Sequence, residues 1–87
     1  MNYFPRYLSK EIRATKEAAD ELWQLKKDLW DVRGILIKGY PCSASRRKPN
    51  IQEMCLQRGR EVYKAVVADC SDYWLLIHFG KFTHARR

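Results

Sequence analysis

The apolar positions crowd toward the C-terminal third of the chain, where residues 61–82 read EVYKAVVADCSDYWLLIHFGKF. Val, Ile, Tyr, Phe and Trp suit a pleated, half-buried surface, and the Asp-Cys-Ser-Asp run at 69–72 supplies turn residues, so the pattern predicts two strands over about 61–68 and 73–79. The alternation is broken at Val66-Val67 and Leu75-Leu76-Ile77, which put apolar groups on both faces. A strand covered on two sides and a buried helix both fit such a run. Upstream, Leu8, Ile12, Thr15, Ala19, Leu22 and Leu29 recur with helical spacing, widened by Trp23 and Trp30, and predict one amphipathic helix of about 24 residues. Ser9 would cap it, Glu11 would sit in its first turn, and Gly34 after Arg33 would end it. Core packing is the plain reading of Trp23, while Trp30 between Asp28 and Asp31 is open.

Ile35-Leu36-Ile37 reads as a short strand closed by Lys38-Gly39-Tyr40-Pro41. Asn50 with Glu53 three residues later reads as a capping pair, opening a short helix to about Arg58 that turns Ile51, Met54, Cys55 and Leu56 inward and stops at Gly59. The expected fold class is therefore α+β: a long N-terminal helix, a short second helix and a small antiparallel sheet built on the C-terminal β-hairpin. An all-α helical hairpin, 10–33 against 51–79, is the alternative. Residues 1–87 form one small domain, with an aromatic arm at 1–8 whose Tyr3, Phe4 and Tyr7 dock on the chain's own core or on a neighbour. A basic loop at 42–50 and a basic tail at 83–87 complete it.

Composition sharpens the picture mainly through charge. The net charge is +7, and the excess is local: residues 1–33 carry seven Lys/Arg against six Asp/Glu, residues 34–60 six against one, and residues 61–87 four against three. Such a concentration attracts polyanions, so RNA or another anionic surface is the natural partner, the bland alternative being a solvated loop. A chain this short buries only about 60% of its unfolded surface, which together with its aromatic content makes protein partners an expectation as well.

Cys42, Cys55 and Cys70 form no CxxC pair, and with only His78 and His84 to add, a zinc site would have to be assembled from scattered residues. Three free thiols in a reducing, intracellular compartment, cytoplasmic or mitochondrial, are the simpler expectation, a disulfide between two of them being the alternative. No secretory signal is visible, and the run at 73–79 is far shorter than the roughly 20 residues of a membrane-spanning helix. There is no glycine-rich phosphate loop, HExxH or nucleophile elbow, so no cofactor, metal or small-molecule substrate is indicated.

What remains is a basic set with tyrosines interleaved: Arg46, Arg47 and Lys48 in the loop, Arg58 and Arg60 before the hairpin, and Lys64, His78, Lys81, His84, Arg86 and Arg87 in or after it. Cations beside Tyr40, Tyr63 and Tyr73 suit phosphates and stacked bases, which makes Arg46, Arg47, Lys48, Arg58, Arg60, Lys81, Arg86 and Arg87 candidate anion-binding residues. The leading functional expectation from the residues is a non-catalytic accessory subunit of a ribonucleoprotein or of a multi-subunit organellar complex.

The segment VYKAVVADCSDYWLLIHFGKFT resembles the C-terminal hairpin of RelE/HigB-type toxins, small basic proteins in which a strand Y-[RK]-x-V is followed by a turn and an apolar strand ending near F-x-K-x-T. Leu29-Trp30-Asp31-Val32-Arg33 is similar to the strand L-W-E-L-R that precedes that hairpin in some of them, although here it lies farther upstream and within the expected helix. The family also has an N-terminal strand that this reading of the chain does not supply. The resemblance implies metal-independent mRNA cleavage, ribosome-dependent or direct, by Lys, Arg, His or Tyr side chains. Lys64, Phe79, Lys81 and Thr83 match by position, and Lys64, His78, Lys81 and Arg86 would be the catalytic candidates, Lys81 first among them.

If the middle of the chain meets phosphates, about three or four contacts give a log–log salt slope of binding of about −2 to −4. Replacing Arg46, Arg47 and Lys48 by Ser should flatten that slope and weaken binding equally for unrelated sequences in a filter-binding titration. An unchanged slope would assign the triplet no phosphate contacts.

Overall fold

A computed structural model describes residues 4–42 and 49–83. Its elements run β1 (Arg6–Tyr7), β2 (Lys10–Ala14), α1 (Lys16–Gln24), α2 (Leu29–Lys38), β3 (Tyr40–Pro41), β4 (Ile51–Arg58), β5 (Glu61–Asp69) and β6 (Tyr73–Thr83). All six strands belong to one curled mixed sheet of order β1-β2-β6-β5-β4-β3, in which β2 and β6 are parallel and the other pairs antiparallel. Both helices lie against the same face, and between them and the sheet the core gathers Ile12, Ala18, Leu22, Val32, Ile35, Leu36, Ala65, Val67, Trp74, Leu76 and Phe79.

The C-terminal hairpin forms where the apolar run lies, and its imperfect alternation has a structural cause. Val66 pairs with His78 but Val67 with Leu76, so β6 carries a bulge at Ile77 that resets which residues face the helices. Strand β5 is central and buried on both faces, which accounts for its run of Ala65, Val66, Val67 and Ala68.

The expected architecture, a long helix over a small sheet, is corrected: sheet predominates, and the alternative all-α hairpin is ruled out with it. Residues 10–14 are strand because they pair with 73–76 of β6, which buries Ile12 completely. Ile12 satisfies a helical stripe and a strand equally well, and the pairing decides. The helix starts instead at Thr15, whose hydroxyl accepts from Ala18 N–H at 3.1 Å. Ser9, expected to be a cap, lies with Leu8 in a two-residue turn where both have positive φ. That geometry joins β1 to β2 and ties the described part of the arm to the chain's own sheet, Tyr3 lying outside the described residues: Tyr7 packs on the core 5.6 Å from the Trp74 ring, and Trp74 Nε1 donates to Tyr7 O at 2.9 Å.

The expected single helix is broken at 25–28, where Lys26 is left-handed and Asp28 opens α2 with a capping box to Asp31. Gly34 does not stop α2, a mid-helix glycine costing only about 1 kcal/mol. Val32, Ile35 and Leu36 form its buried stripe, so 35–37 is helix rather than strand. Trp23 is not core but 82% exposed. The short helix expected at 51–58 is strand β4, joined to β5 by a two-residue turn whose first central residue, Gly59, has the positive φ that type II′ reserves for glycine.

Cys42 and Cys55 form a disulfide with Cα atoms 5.4 Å apart, leaving Cys70 as the free thiol. The expectation of three free thiols is overturned, and a reducing compartment loses its support. Gly39 is needed beside this link, since a Cβ there would collide with the Cys55 and Ile35 carbonyls. Among the described residues no helix is long and apolar enough to cross a membrane.

Among the described residues, no strand flanks β6 on its β2 side beyond Leu76. Thr15 N–H donates to Leu76 O at 3.0 Å, and the next outward amide, Phe79 N–H, donates to Glu21 Oε1 of α1 at 2.8 Å. Glu21→Ala should therefore cost about 1–2 kcal/mol in chemical denaturation while Glu21→Gln, which keeps an acceptor, costs less. Equal losses would show that the bond contributes nothing specific. Reduction, or Cys42→Ser, should lower stability by about 3 kcal/mol, as expected of a loop this short, while Cys70→Ser changes it little.

Candidate nucleic-acid interface

Alternation along the hairpin sorts its charged and aromatic side chains onto two faces. On the helix side, Leu56 and Arg58 of β4, Tyr63 of β5 and Phe79 of β6 meet Lys27 of the interhelical turn and Trp30, Asp31, Gly34 and Ile35 of α2. Together they line an open cleft of about 240 Å³. Tyr63 is its floor: its ring stacks on Phe79 at 6.1 Å, and Lys27 Nζ sits 4.8 Å from its centroid, a cation–π arrangement.

Lys81 pairs with Tyr63 across the β5–β6 ladder and so shares its face. Its Nζ lies 3.1 Å from Glu61 Oε2, and the other oxygen of that carboxylate is 3.5 Å from the Tyr63 hydroxyl. Arg58 is the cross-strand partner of Glu61. The fold thus brings Lys81 and the Tyr63 hydroxyl to one carboxylate, Glu61, next to the cleft that Lys27, Arg58 and Tyr63 line, with Asp31 held by α2's capping box. The arrangement offers cations for an anion and an ammonium–carboxylate pair at 3.1 Å, while the Tyr63 ring is already engaged by Phe79 and Lys27.

The remaining candidates are scattered. Lys64 is on the opposite face, 3.4 Å from Glu53. His78 is largely exposed beside α1, 3.9 Å from Glu21, and outside the cleft lining. Arg60 is exposed in the turn after Arg58. Arg46, Arg47, Lys48, His84, Arg86 and Arg87 lie outside the described residues. No group of three or more His, Cys, Asp or Glu suited to a metal occurs among the described residues.

Comparison with protein families, with curated proteins and with solved structures returns no match. The cleft stands on its own geometry.

Lys27 and Asp31 escaped the sequence reading because a single helix across 10–33 puts them on its solvent side. The signal was present in Asp28-x-x-Asp31, which starts a new helix and leaves Lys27 in a turn. Likewise Gly59-Arg60 between two apolar stretches marks a hairpin, which carries Arg58 to the side of Glu61.

Proposed function

We propose that this chain is a metal-independent endoribonuclease of the RelE/HigB kind, acting on RNA in the cleft between α2 and strands β4 to β6. The observation that carries the reading is the Lys81–Glu61–Tyr63 cluster, with Arg58 opposite Glu61 on the β4–β5 ladder and Lys27 over the Tyr63 ring. The layout of the chain supports it too. Strand β2 supplies an N-terminal strand, and β4, not the helical 29–33 segment, immediately precedes the hairpin that bears Tyr63-Lys64-Ala65-Val66 and Phe79-Gly80-Lys81-Phe82-Thr83. The match of 29–33 to the family's strand is withdrawn, because those residues are in α2.

Cleavage without a metal uses the RNA's own 2′-hydroxyl. Its oxygen attacks the adjacent phosphorus, its proton passes to a base, and the 5′-oxygen leaves with a proton from an acid, giving a 2′,3′-cyclic phosphate and a 5′-hydroxyl. Glu61 is the base in this proposal and Lys81 the acid, while Arg58 and Lys27 offset the charge that builds on the phosphoryl oxygens. Lys64, which the resemblance nominates, faces away and is assigned no part in the step.

A non-catalytic subunit in a larger assembly is the second reading, favoured by the 82% exposure of Trp23 and the 50% exposure of Ile37 on the helices. An RNA-cleavage assay on the full chain, with and without ribosomes, separates the two. Lys81→Ala and Glu61→Gln should each lower the rate by about 10²–10⁴, the range of general acid–base contributions, while Lys64→Ala stays close to the parent. No cleavage by the parent in either condition would leave the subunit reading in place, and full activity in Lys81→Ala would remove Lys81 from the step.

A further inference from the structure

A second depression adjoins the cleft. Phe4, Arg6, Trp30 and Arg33 line it, and Trp30 also lines the cleft, so one side chain forms the wall between the two. Trp30 is 55% exposed and Phe4 43% exposed. Arg33 Nε donates to Arg6 O at 2.8 Å, fixing α2 to the β1 strand, while the Arg6 guanidinium donates to Ser9 O. Read from the cleft outward, the surface alternates cations with rings: Arg58, Tyr63, Lys27, Trp30, Arg33 and Phe4, with Asp31 the one carboxylate in the two linings among the described residues.

We infer that Trp30 is the stacking platform of a single-stranded RNA track, which leaves the cleft over the start of α2 and continues along the Arg6–Arg33 depression. The inference rests on the RNA reading of the cleft and extends it from the scissile phosphate to the flanking nucleotides. Single-strand binding combines rings that stack any base with cations that follow the backbone, and that pairing of residue types is laid out here in sequence. A duplex would not fit such a surface, because stacking on Trp30 needs a base unpaired and turned outward. Recognition at this platform is therefore selective for strandedness and tolerant of sequence. Charge complementarity would also admit an acidic protein, but arginines beside exposed rings, continuous with a phosphate-sized cluster, favour the nucleic acid.

The test uses the full chain and a fluorescein-labelled, single-stranded 2′-O-methyl oligonucleotide, which lacks the attacking hydroxyl and separates binding from cleavage. In an anisotropy titration Trp30→Ala should weaken binding by about tenfold, within the range measured for base–aromatic stacking, while Trp30→Phe keeps most of the affinity. Trp23→Ala, a more exposed tryptophan outside both depressions, should bind like the parent, and the duplex form of the probe should bind all variants alike. The inference is overturned if the parent does not bind the single strand, or if Trp30→Ala matches it. It is likewise overturned if polyglutamate binding depends on Trp30 and oligonucleotide binding does not, which would point to an acidic protein. Trp30-dependent binding in a chain that cleaves no RNA would refute the nuclease and keep the track. Cleavage and binding both indifferent to Trp30 would refute the track alone.

Discussion

The parallel pairing of β2 with β6 is the constraint on which the rest of the molecule depends. It places a five-residue strand from the N-terminal segment beside the longest strand of the chain, burying Ile12 against Trp74 and Leu76, and it ends at Ala14 while β6 continues to Thr83. The outer edge of β6 beyond Leu76 would present unpaired backbone groups, the situation that invites edge-to-edge association. Helix α1 starts at that point because Thr15 both caps it and bonds to Leu76, and Glu21, two helical turns on, meets the Phe79 amide. The length of β2 thus fixes where α1 begins, and the carboxylate on α1 fixes how it lies along the sheet. The second helix follows from the break at 25–28 and brings its first turn over Tyr63 and Phe79.

The cleft is a consequence of that placement rather than of a local motif. Alternation puts Arg58, Glu61, Tyr63 and Lys81 on the helix side of the hairpin, near the end where the Gly59-Arg60 turn closes β4 on β5. The helices cover the other end of the same face densely enough to bury Ala65, Val67, Trp74 and Leu76, but at this end α2 and the turn before it leave an open cleft over the sheet. A charged cluster with partial cover keeps its cations hydrated, so the Lys81–Glu61 pair costs little to hold at the edge of the covered face. The bulge at Ile77 matters here as well: it resets the alternation so that Phe79, and two residues later Lys81, face the helices with Tyr63.

How much of this was legible in the sequence varies element by element. The hairpin was, because Val, Ile, Trp and Phe clusters flanking Asp-Cys-Ser-Asp have few other homes. The N-terminal strand was not, since Leu8, Ile12 and Thr15 satisfy a helical period and only pairing with residues distant in sequence turns 10–14 into strand. The Leu8-Ser9 turn was hidden for a different reason: its positive φ values normally call for Asn or Gly, and a leucine there gives no local sign. The two exposed tryptophans misled by being counted as apolar, which widened a stripe they do not belong to. Of the site, Lys81, Arg58 and Tyr63 were visible as residues, but that they share the helix-side face while Lys64 turns away follows only from register, and a one-residue slip would have reversed it.

The local excess of positive charge that first suggested a polyanion is placed by the fold at Lys38, Arg58 and Arg60, while Arg46, Arg47 and Lys48 lie outside the described residues. Arg58 closes β4 and lines the cleft, and Arg60 is exposed in the turn that follows. Cys42 is held midway along the same strand, by the disulfide to Cys55 and by its N–H bond to Glu53 O. The covalent link therefore ties β3 to the strand that carries Arg58, whereas Tyr63 and Lys81 are positioned by the β5–β6 ladder, which the link does not touch. The disulfide thus bears on the edge of the sheet and on the stability of that edge, and the face shared by Tyr63 and Lys81 is set by strand register.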